Sequence, residues 1–169
     1  MHRIAKFEKV SFDQFLADWT KFFGDEGDVK KIYDDIALPS RATKGSAGYD
    51  FFAPMDIELT PNQTITIPTG IRVWIEDGWV LQNYPRSGLG FKYRLALNNT
   101  VGIIDSDYYS SSNEGHIMCK MTNNTNENKT VVIRQGEGFC QGIFVQYGIT
   151  IDDECSQIRD GGFGSTTKK

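Results

Sequence analysis

Five stretches of this chain set glycine beside charged or polar residues. In order they are Gly45-Ser46-Ala47-Gly48-Tyr49-Asp50, Pro85-Arg86-Ser87-Gly88-Leu89-Gly90, the run from Asn99 through Gly102, Ile103 and Asp105 to Tyr108, Gly136-Glu137-Gly138-Phe139-Cys140-Gln141, and the C-terminal run from Arg159 to Thr166. Taken singly, each reads as turn chemistry: the first as a turn entering a strand, the second as a bulge, Asp105 as an Asx-turn cap. Taken together, they offer what a small polyanionic ligand requires of an acidic protein, namely local arginines, approachable backbone amides, and carboxylates for a divalent cation. The last stretch is the least self-sufficient. Gly161, Gly162 and Gly164 surround one aromatic residue, Phe163. Such a tail loses much entropy on ordering, and a lone aromatic there has nothing of its own to pack on. Either it is a frayed terminus or it closes over something.

The elements that must position these loops follow from the pattern of apolar residues. From about Ile36 onward the chain consists of short alternating segments separated by turns. Thr64–Ile67, Ile71–Ile75, Trp79–Leu81, Ile117–Cys119, Val131–Ile133 and Ile143–Val145 read as strands, with punctuation at Pro61-Asn62, Asp77-Gly78, Ser87-Gly88 and Gly136. Many short strands predict an all-β sandwich or barrel. The polar run Asn123–Asn128 reads as a hairpin tip. Near the N-terminus, Ser11-Phe12-Asp13-Gln14 has capping-box spacing, and Phe12, Phe15, Leu16 and Trp19 recur at helical intervals up to a stop at Gly24. This predicts one amphipathic helix, with its apolar face packed on the domain.

Bulk properties narrow the class. At 169 residues, with 39% apolar and 24% charged residues, the chain suits one globular domain. A net charge of −4 argues against a nucleic-acid binder, which needs a basic face. No apolar run approaches a bilayer span, and no h-region follows Met1, so neither membrane insertion nor secretion is expected. Cys119, Cys140 and Cys155 are an odd, widely spaced set, which fits a reducing cytoplasm better than a zinc site.

As an ordered set the five stretches closely resemble the motifs of the all-β trimeric dUTPases (dUTP diphosphatases), over roughly Leu38 to Thr166. The resemblance implies a jelly-roll-like β-barrel and hydrolysis of dUTP to dUMP and pyrophosphate by water attacking the α-phosphorus. It implies Asp105 as the base that orients this water, and Mg²⁺ bridging the phosphates, with Asp50 reaching the metal through water. Ser87, the amide of Gly88 and Gln141 would donate to phosphates. Arg86 would brace the loop or the tail, and Arg159 would grip the γ-phosphate. Backbone around Asn99, Gly102 and Ile103, with Met118 on the returning limb, would read uracil. Tyr108 would stack under the deoxyribose and leave no room for a 2′-hydroxyl. Phe163 would cover the base, with Gly164 giving the tail its freedom and Ser165 and Thr166 on the phosphates. The resemblance further implies a homotrimer whose sites draw on three chains. The expected divisions are a helical extension over residues 1–30, a β domain over 31–158 and a flexible arm over 159–169.

Three departures from the family pattern stand out. The turn after Tyr108 is lengthened by Tyr109-Ser110-Ser111-Ser112-Asn113-Glu114-Gly115, Gly138 replaces a basic residue, and Arg159 sits one residue closer to the double glycine. Two rival readings keep the fold. One is a dCTP deaminase or bifunctional relative, for which Glu114 is the nearest candidate carboxylate. The other is a protein-binding regulator that uses the helix or the lengthened loop as a partner surface.

Overall fold

A computed structural model describes residues 2–25, 27–157 and 159. The strands are β1 (Ala5–Lys9), β2 (Tyr49–Phe52), β3 (Ile57–Leu59), β4 (Thr64–Pro68), β5 (Ile71–Ile75), β6 (Trp79–Pro85), β7 (Leu95–Leu97), β8 (Gly102–Ile104), β9 (Met118–Asn123), β10 (Val131–Ile133) and β11 (Gly138–Gln146). The helices are α1 (Phe12–Phe23), α2 (Val29–Asp35) and α3 (Ser87–Tyr93), with a 3₁₀ turn at Ser106–Ser110. The strands pair antiparallel in the orders β2-β11-β6-β8, β4-β9-β7, β1-β5 and β3-β10, an all-β, jelly-roll-like architecture.

The alternation in sequence becomes two faces in space. In β5, Ile71, Val73 and Ile75 are buried, whereas Arg72 is half-buried and Trp74 exposed. The inward residues of the sheets join one core that includes Phe51, Ile67, Leu81, Ile117, Met121, Val131 and Phe139. Helix α1 forms where its cap and stop predict. The Ser11 hydroxyl accepts from the Gln14 amide at 3.2 Å, and Gly24, at φ 73°, ends the helix. Its Phe15 and Trp19 enter the same core, each worth about 1.5–3 kcal/mol of burial.

Three local expectations fail for physical reasons. Asn123–Asn128 is not a hairpin tip, because β9 pairs with β4 and β7 whereas β10 pairs with β3. The run is a crossing between sheets, anchored by the buried Asn123 amide, which donates to the Leu59 and Lys129 carbonyls at 2.9 Å each and accepts from the Thr125 amide at 3.1 Å. The Pro85–Gly90 stretch is not a bulge; β6 runs through Pro85 and α3 begins at Ser87, ending where Arg94 turns left-handed at φ 55°. Finally, the N-terminal region holds more than one helix. Strand β1 pairs with β5 along its whole length, and the Asp28 carboxylate caps α2 by accepting from the Lys31 amide at 3.0 Å.

Candidate functional site

Strand β8 pairs with β6 so that Gly102 faces Asn83 and Ile104 faces Leu81. Ahead of it a tight turn passes through Thr100 at φ 66°, with the Val101 amide donating to the Asn99 carbonyl at 2.7 Å. This hairpin limb and the start of β9 enclose a cavity of about 190 Å³. Asn99, Gly102, Ile103, Tyr108, Met118 and Arg159 all line it, and Asn83, Ile117 and Cys119 contribute its deeper wall. A Cβ on Gly102 would stand 3.2 Å from the Asn83 Cβ, a tight approach that favours glycine beside the neighbouring strand.

The lengthened turn resolves which tyrosine faces the cavity. Tyr108 is buried against it, its hydroxyl donating to the His116 carbonyl at 2.8 Å and accepting from Asn113 Nδ2 at 2.8 Å. Tyr109 turns the other way. Its hydroxyl donates to Glu8 at 2.5 Å, and its ring lies 3.6 Å from the Arg72 guanidinium, which also donates to the Tyr109 carbonyl at 2.7 Å. Gly115 makes the reversal possible. It holds φ 70°, and a Cβ there would lie 2.7 Å from the Tyr108 carbonyl oxygen and 2.8 Å from the Tyr109 Cα.

The same turn is tied to the N-terminal segment, a connection the sequence reading lacks. Glu114 accepts from the Ser11 amide at 2.8 Å and from its hydroxyl at 2.6 Å. His116 is fully buried; its Nε2 accepts from the Gly70 amide at 2.8 Å, which assigns the ring proton to Nδ1, and Nδ1 donates to Asp18 of α1 at 2.7 Å. Burial pushes the Asp18 carboxyl upward, but the hydrogen bonds from His116 and Gln14 outweigh it and hold the group below its ordinary value. Hydrogen bonds from Ser11 hold Glu114 low in the same way. Glu114 is therefore committed to Ser11 and does not line the cavity, which weighs against it as a base aimed at a pyrimidine ring. The lengthened loop lies down on the chain's own N-terminus.

At the rim of the cavity the Arg159 guanidinium pairs with Asp105 and donates through Nε to Asp107 at 2.8 Å, with its carbon 5.8 Å from the Tyr108 ring centre. Asp105 directly follows β8 and remains about half exposed. Arg159 thus stands beside the Asp105 of its own chain, away from Ser87.

The other expected residues gather elsewhere. Asp50 on β2 faces Gln141 on β11, and Cys140 faces Pro85 on β6. Arg86 reaches across this corner, with Nε 3.4 Å from Asp50 Oδ1 and Nη1 donating to the Gly138 carbonyl at 3.2 Å. A Cβ on Gly138 would meet Arg86 Nη1 at 2.8 Å, so the departure at this position makes room for the arginine. Ser87 and Gly88 open α3, where first-turn amides have no intrahelical acceptor. Arg86, Ser87, Gly88 and Gly138 line a second cavity of about 460 Å³, which shares no lining residue with the first. Among the described residues no three acidic, histidine or cysteine side chains cluster as a metal cage. Phe163, Gly164, Ser165 and Thr166 lie outside the described residues.

The chain is similar to known proteins in sequence and fold. The dUTPase family model matches residues 34–167. The deoxyuridine 5′-triphosphate nucleotidohydrolase of Lactococcus lactis is 42% identical over 134 residues, covering 78% of this chain and 88% of that protein. The enzyme of the same name from Tolumonas auensis is 39% identical over 144 residues, covering 80% and 91%. Among solved structures, the dUTPase of Streptococcus mutans superposes with a TM-score of 0.62 at 33% identity, covering 87% of this chain and 98% of that one. The Staphylococcus bacteriophage 80alpha dUTPase with dUPNHPP shares the fold, with a TM-score of 0.64 at 20% identity and coverage of 97% and 98%. With four-fifths of its length inside the family model and a relative of that family 42% identical over 134 residues, the chain belongs to the dUTPase family.

Proposed function

We propose that this chain hydrolyses dUTP to dUMP and pyrophosphate, by attack of water on the α-phosphorus. The observation that carries the reading is the convergence of Asn99, Gly102, Ile103, Tyr108 and Met118 on one small cavity, with the Asp105 carboxylate at its rim. In this reading the backbone of the β8 limb and Met118 reads the uracil edge, and the buried, doubly hydrogen-bonded Tyr108 lies under the deoxyribose, where a 2′-hydroxyl would clash. Asp105 orients the water and takes its proton. Arg159 must leave Asp105 before that carboxylate can serve, and departure toward a phosphate would do both tasks. Ser87, Gly88 and Gln141 donate to the phosphates, Arg86 braces that corner through Asp50 and Gly138, and the arm bearing Phe163, Gly164, Ser165 and Thr166 closes over the ligand and excludes water.

The donor set fits Mg²⁺ held mainly by substrate. Asp50 borders the phosphate corner beside Arg86, the Glu137 carboxylate that lines its cavity is engaged by the Arg134 amide, and Mg²⁺ prefers phosphate oxygens and water to protein cages. When bound, the ion would offset the charge on the triphosphate, and Asp50 would hold it through water.

The two cavities share no wall in a single chain. Exposed apolar side chains such as Phe91, Ile149 and Ile151 offer surface for burial between chains. Both features support a homotrimer in which the base cavity of one chain completes the phosphate corner of another. The activity would act in the cytoplasm, limiting uracil incorporation into DNA and supplying dUMP for dTMP synthesis. Pyrophosphate release from UTP, dUTP, dTTP and dCTP, with and without Mg²⁺, tests the reading. Turnover confined to dUTP and dependent on Mg²⁺ is expected; uridine nucleotides formed from dCTP, or no turnover of dUTP, would overturn it.

A further inference from the structure

Asn83 is the polar exception on the inward face of β6. The strand buries Val80 and Leu81 and then places an asparagine, only 2% exposed, where an apolar residue would complete the face. Its Oδ1 is buried without a hydrogen-bond partner among the described residues. Gly142 and Gly102 flank it on the two neighbouring strands, where a Cβ would stand 2.7 Å from Asn83 Oδ1 and 3.2 Å from Asn83 Cβ respectively. Bare backbone on both sides leaves the carboxamide its room. The residue also forms part of the wall of the base cavity, beside Asn99, Gly102 and Tyr108.

A buried amide left unpaired costs about 1–3 kcal/mol, whereas a leucine of similar shape would carry no such cost in this core. A polar group retained there has a partner that arrives from the cavity. We propose that Asn83 is a substrate-recognition residue whose carboxamide hydrogen-bonds the polar edge of the pyrimidine base. The amide carries a donor and an acceptor side by side. Uracil presents N3–H beside a carbonyl oxygen, so one carboxamide satisfies both, as asparagine does on the adenine edge in nucleic-acid recognition. The contact adds affinity from the floor of the pocket to the backbone reading at its mouth. Turning by 180° matches the amide to the N3 and amino group of cytosine equally well. Asn83 therefore contributes binding to either base, and discrimination between them stays with the β8 limb.

This inference rests on the assignment of the cavity to the base of dUTP, and the experiment separates the two. Dissociation constants of dUMP and dCMP are measured for the parent protein and for Asn83→Leu, together with dUTP turnover and melting temperature. Asn83→Leu is expected to bind dUMP at least tenfold more weakly, about 1.4 kcal/mol, to lose a similar factor for dCMP, and to melt no lower than the parent. An enzyme that turns over dUTP while Asn83→Leu binds dUMP within twofold of the parent overturns the inference and leaves the function standing. A parent protein inert toward dUTP overturns the function instead. Should Asn83→Leu fail to fold, a crystal structure of the parent with dUMP decides: a carboxamide within 3.5 Å of the base edge supports the contact, and a longer separation refutes it.

Discussion

Replacing Asp18 by alanine removes the acceptor that fixes His116, and its cost follows from the geometry. His116 is fully buried, and Asp18 Oδ2, 2.7 Å from its Nδ1–H, is the acceptor that the substitution removes. Stranding such a donor costs about 1–3 kcal/mol. Loss of the Gln14 side-chain bond to Asp18, four residues away on the same helix, adds about 0.2–0.5 kcal/mol. For a chain of this size each kcal/mol lowers the melting temperature by about 2–4 °C, so Asp18→Ala is expected to melt about 2–14 °C lower. Asp18→Asn keeps an oxygen in place and is expected to lose less than half as much. Because the His116 carbonyl receives the Tyr108 hydroxyl, the disturbance should also reach the cavity, raising KM for dUTP more than it lowers kcat. Scanning calorimetry at one protein concentration, paired with steady-state kinetics, measures both effects. An Asp18→Ala protein that melts within about 1 °C of the parent with an unchanged KM would refute the argument.

Other expectations follow from the site and its supports. Asp105→Asn should lower kcat by about 10²–10⁴ while dUMP still binds; near-normal turnover would remove Asp105 as the base. Phe163→Ala should reduce kcat/KM without moving the melting temperature, and an unchanged kcat/KM would leave the arm without a role. Acid should selectively loosen the N-terminal attachment. Asp18 is held below its ordinary value of 3.8, so its contribution is present above that value and is lost as pH falls through the lowered one. The melting-temperature gap between parent and Asp18→Ala should therefore narrow as pH drops below 3.8, and a gap constant into strong acid would contradict the linkage.

Much of this fold is visible in sequence because its strands bury one face. Ile71, Val73 and Ile75 announce β5 through period two alone, and Ser11, Phe15, Trp19 and Gly24 announce α1 through cap, stripe and stop. Some glycines of these loops are visible for a related reason, since a Cβ at Gly102 or Gly138 would crowd a neighbouring side chain. Helix α3 escapes because Gly88 and Gly90 oppose helix propensity and the element forms only in its tertiary setting. The bonds of Glu8, Ser11 and Asp18 to the loop at Tyr109–His116 escape because no local pattern encodes a partner so far along the chain. Asn83 did leave a trace: a polar residue on the inward phase of an otherwise apolar strand.

The attachment of the N-terminal segment to the Tyr109–His116 loop also bears on how the molecule is born. Its three bonded pairs close spans of 98, 101 and 103 residues, so the ribosome releases one half of each pair long before the other exists. Bridging such spans costs chain entropy that few nearby contacts refund early, which makes late, slow closure the expected order of events. A nascent chain interrupted before Tyr109 would hold α1 with its polar partners still missing, its Phe15 and Trp19 awaiting a completed core, and such a fragment is a natural client for a chaperone.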